Sequence, residues 1–386
     1  MPTNHSFFLF GPRQTGKTSL VTNAFSPAQV MSYDLLKTDE YMRLLSRPSL
    51  LREEVNGRSV TVTHVLIDEV QRIPALLDEV HGLLEGARPP SFILTGSSAR
   101  KLKRLNANML GGRAWTLSLH PFTHRELGER FNLLRALNFG GLPKIWFSDD
   151  SEAEQLLRSY VETYLKEEVE AEALVRSLGP FVRFLFQSGH ESGNILNFST
   201  IGRDVGTSSK TIREYFQILE DTLIGRFLPA YSRSTRGRHI AHPKFYLFDT
   251  GVQRALTKKL KVAVEPGTPD YGTGFEHFMV NECWRLNDYG QSDLTFSFYR
   301  TEHHAEVDLI IEFPRGECWA VEFKATDNPA LSDVRGGLSS FKLKRPDARL
   351  LCVSTALRRR EVEGVEFLPW KEFFAELFPI GAANGC

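Results

Sequence analysis

The sequence predicts a mixed α/β protein of several domains, and three observations carry that prediction. An apolar run enters a glycine-bearing loop and leaves it in a helical pattern at residues 7 to 20, "FFLFGPRQTGKTSL". Two helical segments followed by short β-rich segments occupy the middle. A helix and three β-rich segments, with acids and a lysine among apolar neighbours, fill the last third. A chain of 386 residues exceeds one ordinary core. The expected division is a nucleotide-binding domain with a small lid over 1–147, a helical linker over 148–190, a helix-and-wing domain over 191–262 and an α/β domain over 263–386.

"FFLF" reads as a short buried strand. The loop behind it, Gly11-Pro12-Arg13-Gln14-Thr15-Gly16-Lys17-Thr18-Ser19, fits G-x-x-x-x-G-K-[ST]. Glycines let a backbone wrap closely around phosphates with successive N–H groups pointing inward. Lys17 is placed to reach the β- and γ-phosphates, and the Thr18 hydroxyl to ligate Mg²⁺. The helix that follows turns its positive end toward the anion.

Such a loop needs a metal-orienting carboxylate at the end of a neighbouring strand to do chemistry. "VTHVLIDEVQRIP" supplies one: Val62 to Ile67 is β-rich and ends in Asp68-Glu69. Asp68 is the expected Mg²⁺ partner and Glu69 the expected base for the attacking water. The next strand, "SFILTGSSARKLKR", carries Thr95 and Ser97 at its end, where they could sense the γ-phosphate. In "NMLGGRAWTLSLHPFTHREL", Arg113 is a candidate to stabilise charge on the transferring phosphoryl group, in its own site or a neighbour's. Arg100, Lys101, Lys103 and Arg104 compete for that role. No NKxD-type motif reads guanine, so ATP is the expected nucleotide.

Composition narrows the setting. Hydrophobic residues make up 41% and charged residues 24%, as in soluble globular proteins. The 47 basic and 47 acidic residues cancel, so a nucleic-acid partner requires a local basic patch. Cys283, Cys318, Cys352 and Cys386 form no CxxC pair, against a zinc site or disulfide framework. No apolar run reaches the roughly 18 residues of a membrane span, and the first residues lack a signal-peptide pattern. A cytoplasmic protein with no membrane partner is expected.

"LFGPRQTGKTSL", "VLIDEVQRIP", "FILTGSSARKL", "LGGRAWTLSLHPFTHREL" and "NFGGLPKIWF" together resemble the prokaryotic AAA+ superfamily ATPases that carry an attached DUF4143 region. The resemblance runs in order through most of the chain. It implies a P-loop AAA+ ATPase domain, and it implies a homo-oligomer, since many such ATPases share sites between protomers.

Residues 148 to 179 are charge-rich with apolar residues at helical spacing (Leu156, Tyr160, Tyr164, Leu165), predicting a long amphipathic helix with Glu167, Glu168, Glu170 and Glu172 on a solvated face. Farther on, a short helix around Ile201 to Val205 ends at Gly206. Ser208 or Ser209 caps a second helix bearing Ile212, Tyr215, Phe216, Leu219 and Leu223 on one face. Two short strands follow as wings. This is a winged helix-turn-helix layout, with Lys210 and Arg213 at the reading end. From Arg226 to Lys244 the chain holds Arg226, Arg233, Arg236, Arg238 and Lys244 and no acid, a patch able to neutralise phosphates. Winged helices also dock proteins, and both readings stand.

In the last third, "GFEHFMVNECWRLN" reads as a helix and "LTFSFYRT", "AEVDLIIEF" and "CWAVEFKAT" as strands. Alternation turns Val321 and Phe323 to a core and Glu322 and Lys324 together to the other side. Asp308 followed by Glu322-x-Lys324 is the D…ExK pattern of the PD-(D/E)xK nuclease fold, to which the DUF4143 region is similar. There, carboxylates hold Mg²⁺ or Mn²⁺ and a lysine positions the nucleophile. Glu276 is a candidate third acid. Three functions remain open: an ATPase driving a module that acts on DNA, a nucleotide-driven protein-interaction switch with an inactive nuclease fold, and an ATP-regulated metal-dependent nuclease.

Overall fold

The structure, a computed structural model, describes residues 1–98, 110–165, 178–232 and 242–379. The chain divides into two compact units, residues 1–121 with 218–224, and residues 122–217 with 225–386. The first break falls ahead of the boundary expected at 147.

The first unit is built on five parallel strands, β1 (Ser6–Phe10), β2 (Val30–Asp34), β3 (His64–Asp68), β4 (Ser91–Gly96) and β5 (Ala114–Ser118), in the order β2-β3-β4-β1-β5. β1 and β3 are buried along their whole length because both faces of the sheet are covered, which is why they read as continuous apolar runs. Phe8, Phe10, Val65 and Ile67 face one cluster with Leu76, Leu77 and Val80 of the helix Leu76–Leu84. Phe7, Leu9, Leu66 and Ile93 face the other, with Val21 of the helix Lys17–Ala24. The period-two alternation therefore sets which helix each strand residue touches. One expectation is corrected. β3 is not the neighbour of β1; β4 is inserted between them, so the Asp68 strand lies one strand farther away.

The second unit holds a six-stranded sheet ordered β12-β13-β11-β10-β9-β8. Its strands are β8 (Thr295–Arg300), β9 (Glu306–Glu312), β10 (Cys318–Lys324), β11 (Arg349–Ser354), β12 (Arg360–Val362) and β13 (Val365–Pro369). β8, β9 and β10 run antiparallel, while β10, β11 and β13 run parallel. Leu309, Ile311, Val321 and Phe323 share a core with Phe275, Phe278, Met279 and Cys283 of the 22-residue helix Pro269–Gly290. Ile310, Ala320 and Cys352 on the opposite face are covered by Leu338 and Phe341 of the helix Arg335–Lys344.

Ahead of that sheet, the helix Phe198–Val205 is capped by the Asn197 side chain and ends at Gly206, whose φ of 78° suits glycine. The Ser208 hydroxyl accepts the Thr211 N–H at 3.1 Å and starts the helix Ser209–Asp221. β6 (Gly225–Leu228) and β7 (Lys244–Leu247) then pair antiparallel. Two details differ from the sequence reading. Leu223 lies past the helix end with φ 62°, outside the apolar helical face. The linker changes from an α-helix at Asp150–Ser159 to a π-helix at Tyr160–Leu165 instead of running on as one α-helix. Glu167, Glu168, Glu170 and Glu172 lie outside the described residues.

Candidate functional sites

The loop between β1 and its helix closes on its own backbone. Gly11 N–H donates to Gly96 O at 3.2 Å, and Leu119 N–H donates to Phe10 O at 2.7 Å. A Cβ at Gly11 would stand 2.2 Å from Leu119 O, so only glycine lets the loop leave the sheet here. Gln14 and Gly16 take left-handed conformations at φ 64° and 91°. The Lys17 ammonium folds under the loop and donates to Gly11 O at 2.7 Å and Pro12 O at 3.1 Å. The Thr15 hydroxyl donates to Pro12 O at 2.9 Å. Gly16 caps the helix without a side-chain acceptor, and no acid stands in its first turn. Its leading N–H groups are therefore suited to an anion.

Asp68 reaches this loop from β3. Its Oδ2 accepts the Thr18 hydroxyl at 2.8 Å, and its Oδ1 accepts the Thr95 hydroxyl from the intervening β4. A hydroxyl and a carboxylate converging beside a phosphate-shaped loop are the oxygen donors Mg²⁺ favours. Thr95 also accepts Glu69 N–H at 3.3 Å. Glu69 sits at φ 59° and its Oε2 accepts from Gln71 Nε2 and, at 3.4 Å, from the Ser97 hydroxyl. A Cβ at Gly96 would lie 2.4 Å from Gln71 Oε1, so that glycine makes room for Gln71. Gln71 was not singled out from the sequence; its only signal is its place two residues after the acidic pair.

A second charged cluster lies in the second unit. Lys244 Nζ meets Glu306 Oε1 at 2.8 Å and Glu276 Oε1 at 3.2 Å. The Tyr246 hydroxyl donates to Glu276 Oε1 at 2.6 Å. Asp308 Oδ2 accepts Phe323 N–H at 2.8 Å, and Lys324 Nζ meets Glu322 Oε2 at 3.1 Å. Burial raises the Asp308 pKa, the Glu276 charge adds to the rise, and Lys244 and Lys324 oppose it without cancelling it. Burial and the Asp308 charge hold Glu322 well above the usual carboxylate range. Burial by itself lowers the Lys244 pKa, but Glu276, Asp308 and Glu306 reverse this and carry it above the ordinary lysine value. Glu306 and Tyr246 were not identified from sequence, and Lys244, expected in the basic patch, is instead buried and paired with Glu276 and Glu306, so it is not part of an exposed patch. The usable signal was period two: Glu306 shares a strand face with Asp308, and Lys244 with Tyr246.

Residues 3–128 match the AAA domain family model, and residues 271–373 match that of DUF4143, a domain of unknown function. The chain joins an AAA domain to a DUF4143 domain. Between them, residues 130–262 match DUF8612, a further domain of unknown function. An uncharacterized protein of Mycobacterium tuberculosis and one of Mycobacterium bovis are each 27% identical over 341 residues, 87% of this chain and 74% of theirs. An uncharacterized protein of Haemophilus influenzae is 23% identical over 213 residues, 51% of this chain and 53% of its own. A solved structure of a Signal Transduction ATPase with Numerous Domains protein with a tetratricopeptide repeat sensor, from Pyrococcus horikoshii, aligns over 75% of this chain and 49% of its own. It does so at 14% identity with a TM-score of 0.24. The chain thus spans about half the length of that structure.

The remaining candidates fall in different places. Arg113 precedes β5, whose Ala114 pairs with Ser6 at the start of β1, so it stands at the sheet edge opposite the AAA domain's phosphate loop. Its guanidinium meets Glu85 at 3.0 Å. A cavity of about 770 Å³ lined by Thr3, Asn4, Arg58, His64 and Ser91 opens at that same far edge and is not the phosphate site. Lys210 and Arg213 are exposed near the start of their helix, with Arg213 4.7 Å above the Phe198 ring. Arg226 is half-buried, paired with Asp288 and lying over Trp284. Arg233, Arg236 and Arg238, like Arg100, Lys101, Lys103 and Arg104, lie outside the described residues. Among the described residues no helix is long and apolar enough to cross a membrane.

Proposed function

We propose that the protein is a Mg²⁺-dependent ATPase of AAA+ type whose nucleotide cycle drives its appended domains in an action on DNA. The observation that carries the reading is the approach of the Thr18 hydroxyl to Asp68 at 2.8 Å beside the glycine loop that holds Lys17. Thr18 and Asp68 would hold Mg²⁺, which supplies neutralisation of phosphate charge. Lys17 exchanges its loop carbonyls for phosphate oxygens, a stronger charge-assisted bond. Glu69 orients and deprotonates water once Gln71 and Ser97 release it, and Thr95 keeps Asp68 aligned.

Arg113 cannot serve its own loop from the opposite sheet edge, which supports a role in a neighbouring copy within a homo-oligomer. Mixing Lys17→Ala protein with Arg113→Ala protein tests this: partial recovery of hydrolysis is expected, and none counts against it. The exposed Lys210 and Arg213 on the helix Ser209–Asp221 ahead of the β6–β7 pair support a winged-helix contact with DNA. The deciding measurement is phosphate release with and without DNA. Stimulation that disappears in Lys17→Ala is expected; hydrolysis indifferent to every nucleic acid would leave the second reading, a nucleotide-driven protein-interaction switch. The internal pairing of Arg226 with Asp288 favours that alternative, since it removes one cation from the expected basic patch.

A further inference from the structure

The D…ExK pattern implies a divalent cation held by Asp308 and Glu322, with Glu276 nearby. The donor set does not fit one. Asp308 Oδ2 is taken by Phe323 N–H, Glu322 Oε2 by Lys324, and Glu276 Oε1 by both Tyr246 and Lys244. Among the described residues no group of three or more such side chains is arranged to hold a metal ion.

A cation is nonetheless present. The Lys244 side chain is 5% exposed, and its ammonium sits between Glu276 and Glu306, with Asp308 acting on it electrostatically. Its ammonium also lies 5.6 Å from the centre of the Phe298 ring. A buried ammonium persists only where fixed negative charge offsets its lost hydration. We propose that Lys244 is a resident cation plug that stands in place of the divalent ion and makes this centre metal-free. Its origin matters. Lys244 and Tyr246 lie in the stretch matched by DUF8612, whereas Glu276, Glu306, Asp308, Glu322 and Lys324 lie in the DUF4143 match. The middle region therefore supplies the counter-charge that closes the acidic centre of the last one. The helix Arg335–Lys344 closes it further: a Cβ at Gly337 would stand 1.8 Å from Glu306 O and 3.0 Å from Glu322 Oε1. The centre ties β7 to β9 and to the helix Pro269–Gly290 instead of activating water.

Mn²⁺ titration of the full chain tests this, followed by electron paramagnetic resonance after chelator treatment and without nucleotide, so that the outcome is independent of the ATPase reading. Wild type and Lys244→Arg should take up no Mn²⁺ whose binding depends on Asp308. Lys244→Met should gain one Mn²⁺ site, its affinity at least about a hundredfold above any weak wild-type binding at that place, as removal of a like charge a few ångströms away predicts. Adding Asp308→Asn should abolish that gain. Wild-type protein that binds Mn²⁺ at a site lost in Asp308→Asn overturns the proposal, and so does folded Lys244→Met that binds none. If Lys244→Met fails to fold, the wild-type and Asp308→Asn pair decides alone.

Discussion

The two charged centres of this protein solve opposite problems. Around the phosphate loop, Lys17 rests on two neutral carbonyls, and the helix behind it has neither a side-chain cap nor an acid in its first turn. A phosphate entering there exchanges with the Gly11 and Pro12 carbonyls at Lys17 and meets the positive end of the helix. Around Asp308 the carboxylates are already engaged: two lysines and a tyrosine hydroxyl bond Glu276, Glu306 and Glu322. A ligand entering there must displace an ammonium from carboxylates. The comparison teaches that acids and lysines in the right spacing announce a site only when their charges are left for something else to satisfy.

The largest expected effect lies at the open centre. Lys17→Ala should slow phosphate release by about 100- to 1,000-fold, the scale of losing one charge-stabilising donor. An unchanged rate would remove the loop from catalysis and break the contrast. At the closed centre, Lys244→Met should destabilise the second unit by about 2 kcal/mol, because it strands the half-buried carboxylates of Glu276 and Glu306, and Lys244→Arg should recover most of this. Denaturant unfolding of the variants measures it; a loss below about 1 kcal/mol would mean the ion pairs behave as surface ones.

Acid should weaken the same unit. Burial, with Arg285 nearby, lowers His277 from its ordinary value to about 4, although its bond to the Leu247 carbonyl opposes the shift. The unfolded chain takes up this proton near pH 6.5 and the folded one only near pH 4. The stability that neutral His277 contributes is therefore complete above pH 6.5 and is lost as pH falls toward 4, by about 3 kcal/mol in all. His277→Gln should flatten that part of the profile; an equally steep acid limb in the variant would assign the loss elsewhere.

The smallest effects sharpen the split among arginines. If the middle helices contact DNA, Lys210→Ala and Arg213→Ala should each reduce the salt slope of binding by about 1. Arg226→Ala should leave that slope unchanged and cost about 1 kcal/mol of stability instead, through its lost pair with Asp288. A slope change in Arg226→Ala would return it to the interface.

Much of this was legible in the sequence for a physical reason. A phosphate cradle is made by consecutive residues, so the spacing from Gly11 to Thr18 contains it, and period-two alternation in β3 and β10 fixed which side chains share a face. What tertiary structure alone decided was how distant segments balance one another. It inserted β4 between β1 and β3, so that Thr95 bonds Asp68. It brought Gln71 and Ser97 to Glu69, turned Arg226 onto Trp284, and set Lys244 among the carboxylates. Spacing within a segment determines what that segment presents. Whether a charge is left over for a ligand is a sum over segments far apart in sequence, and only packing brings those terms within reach of one another.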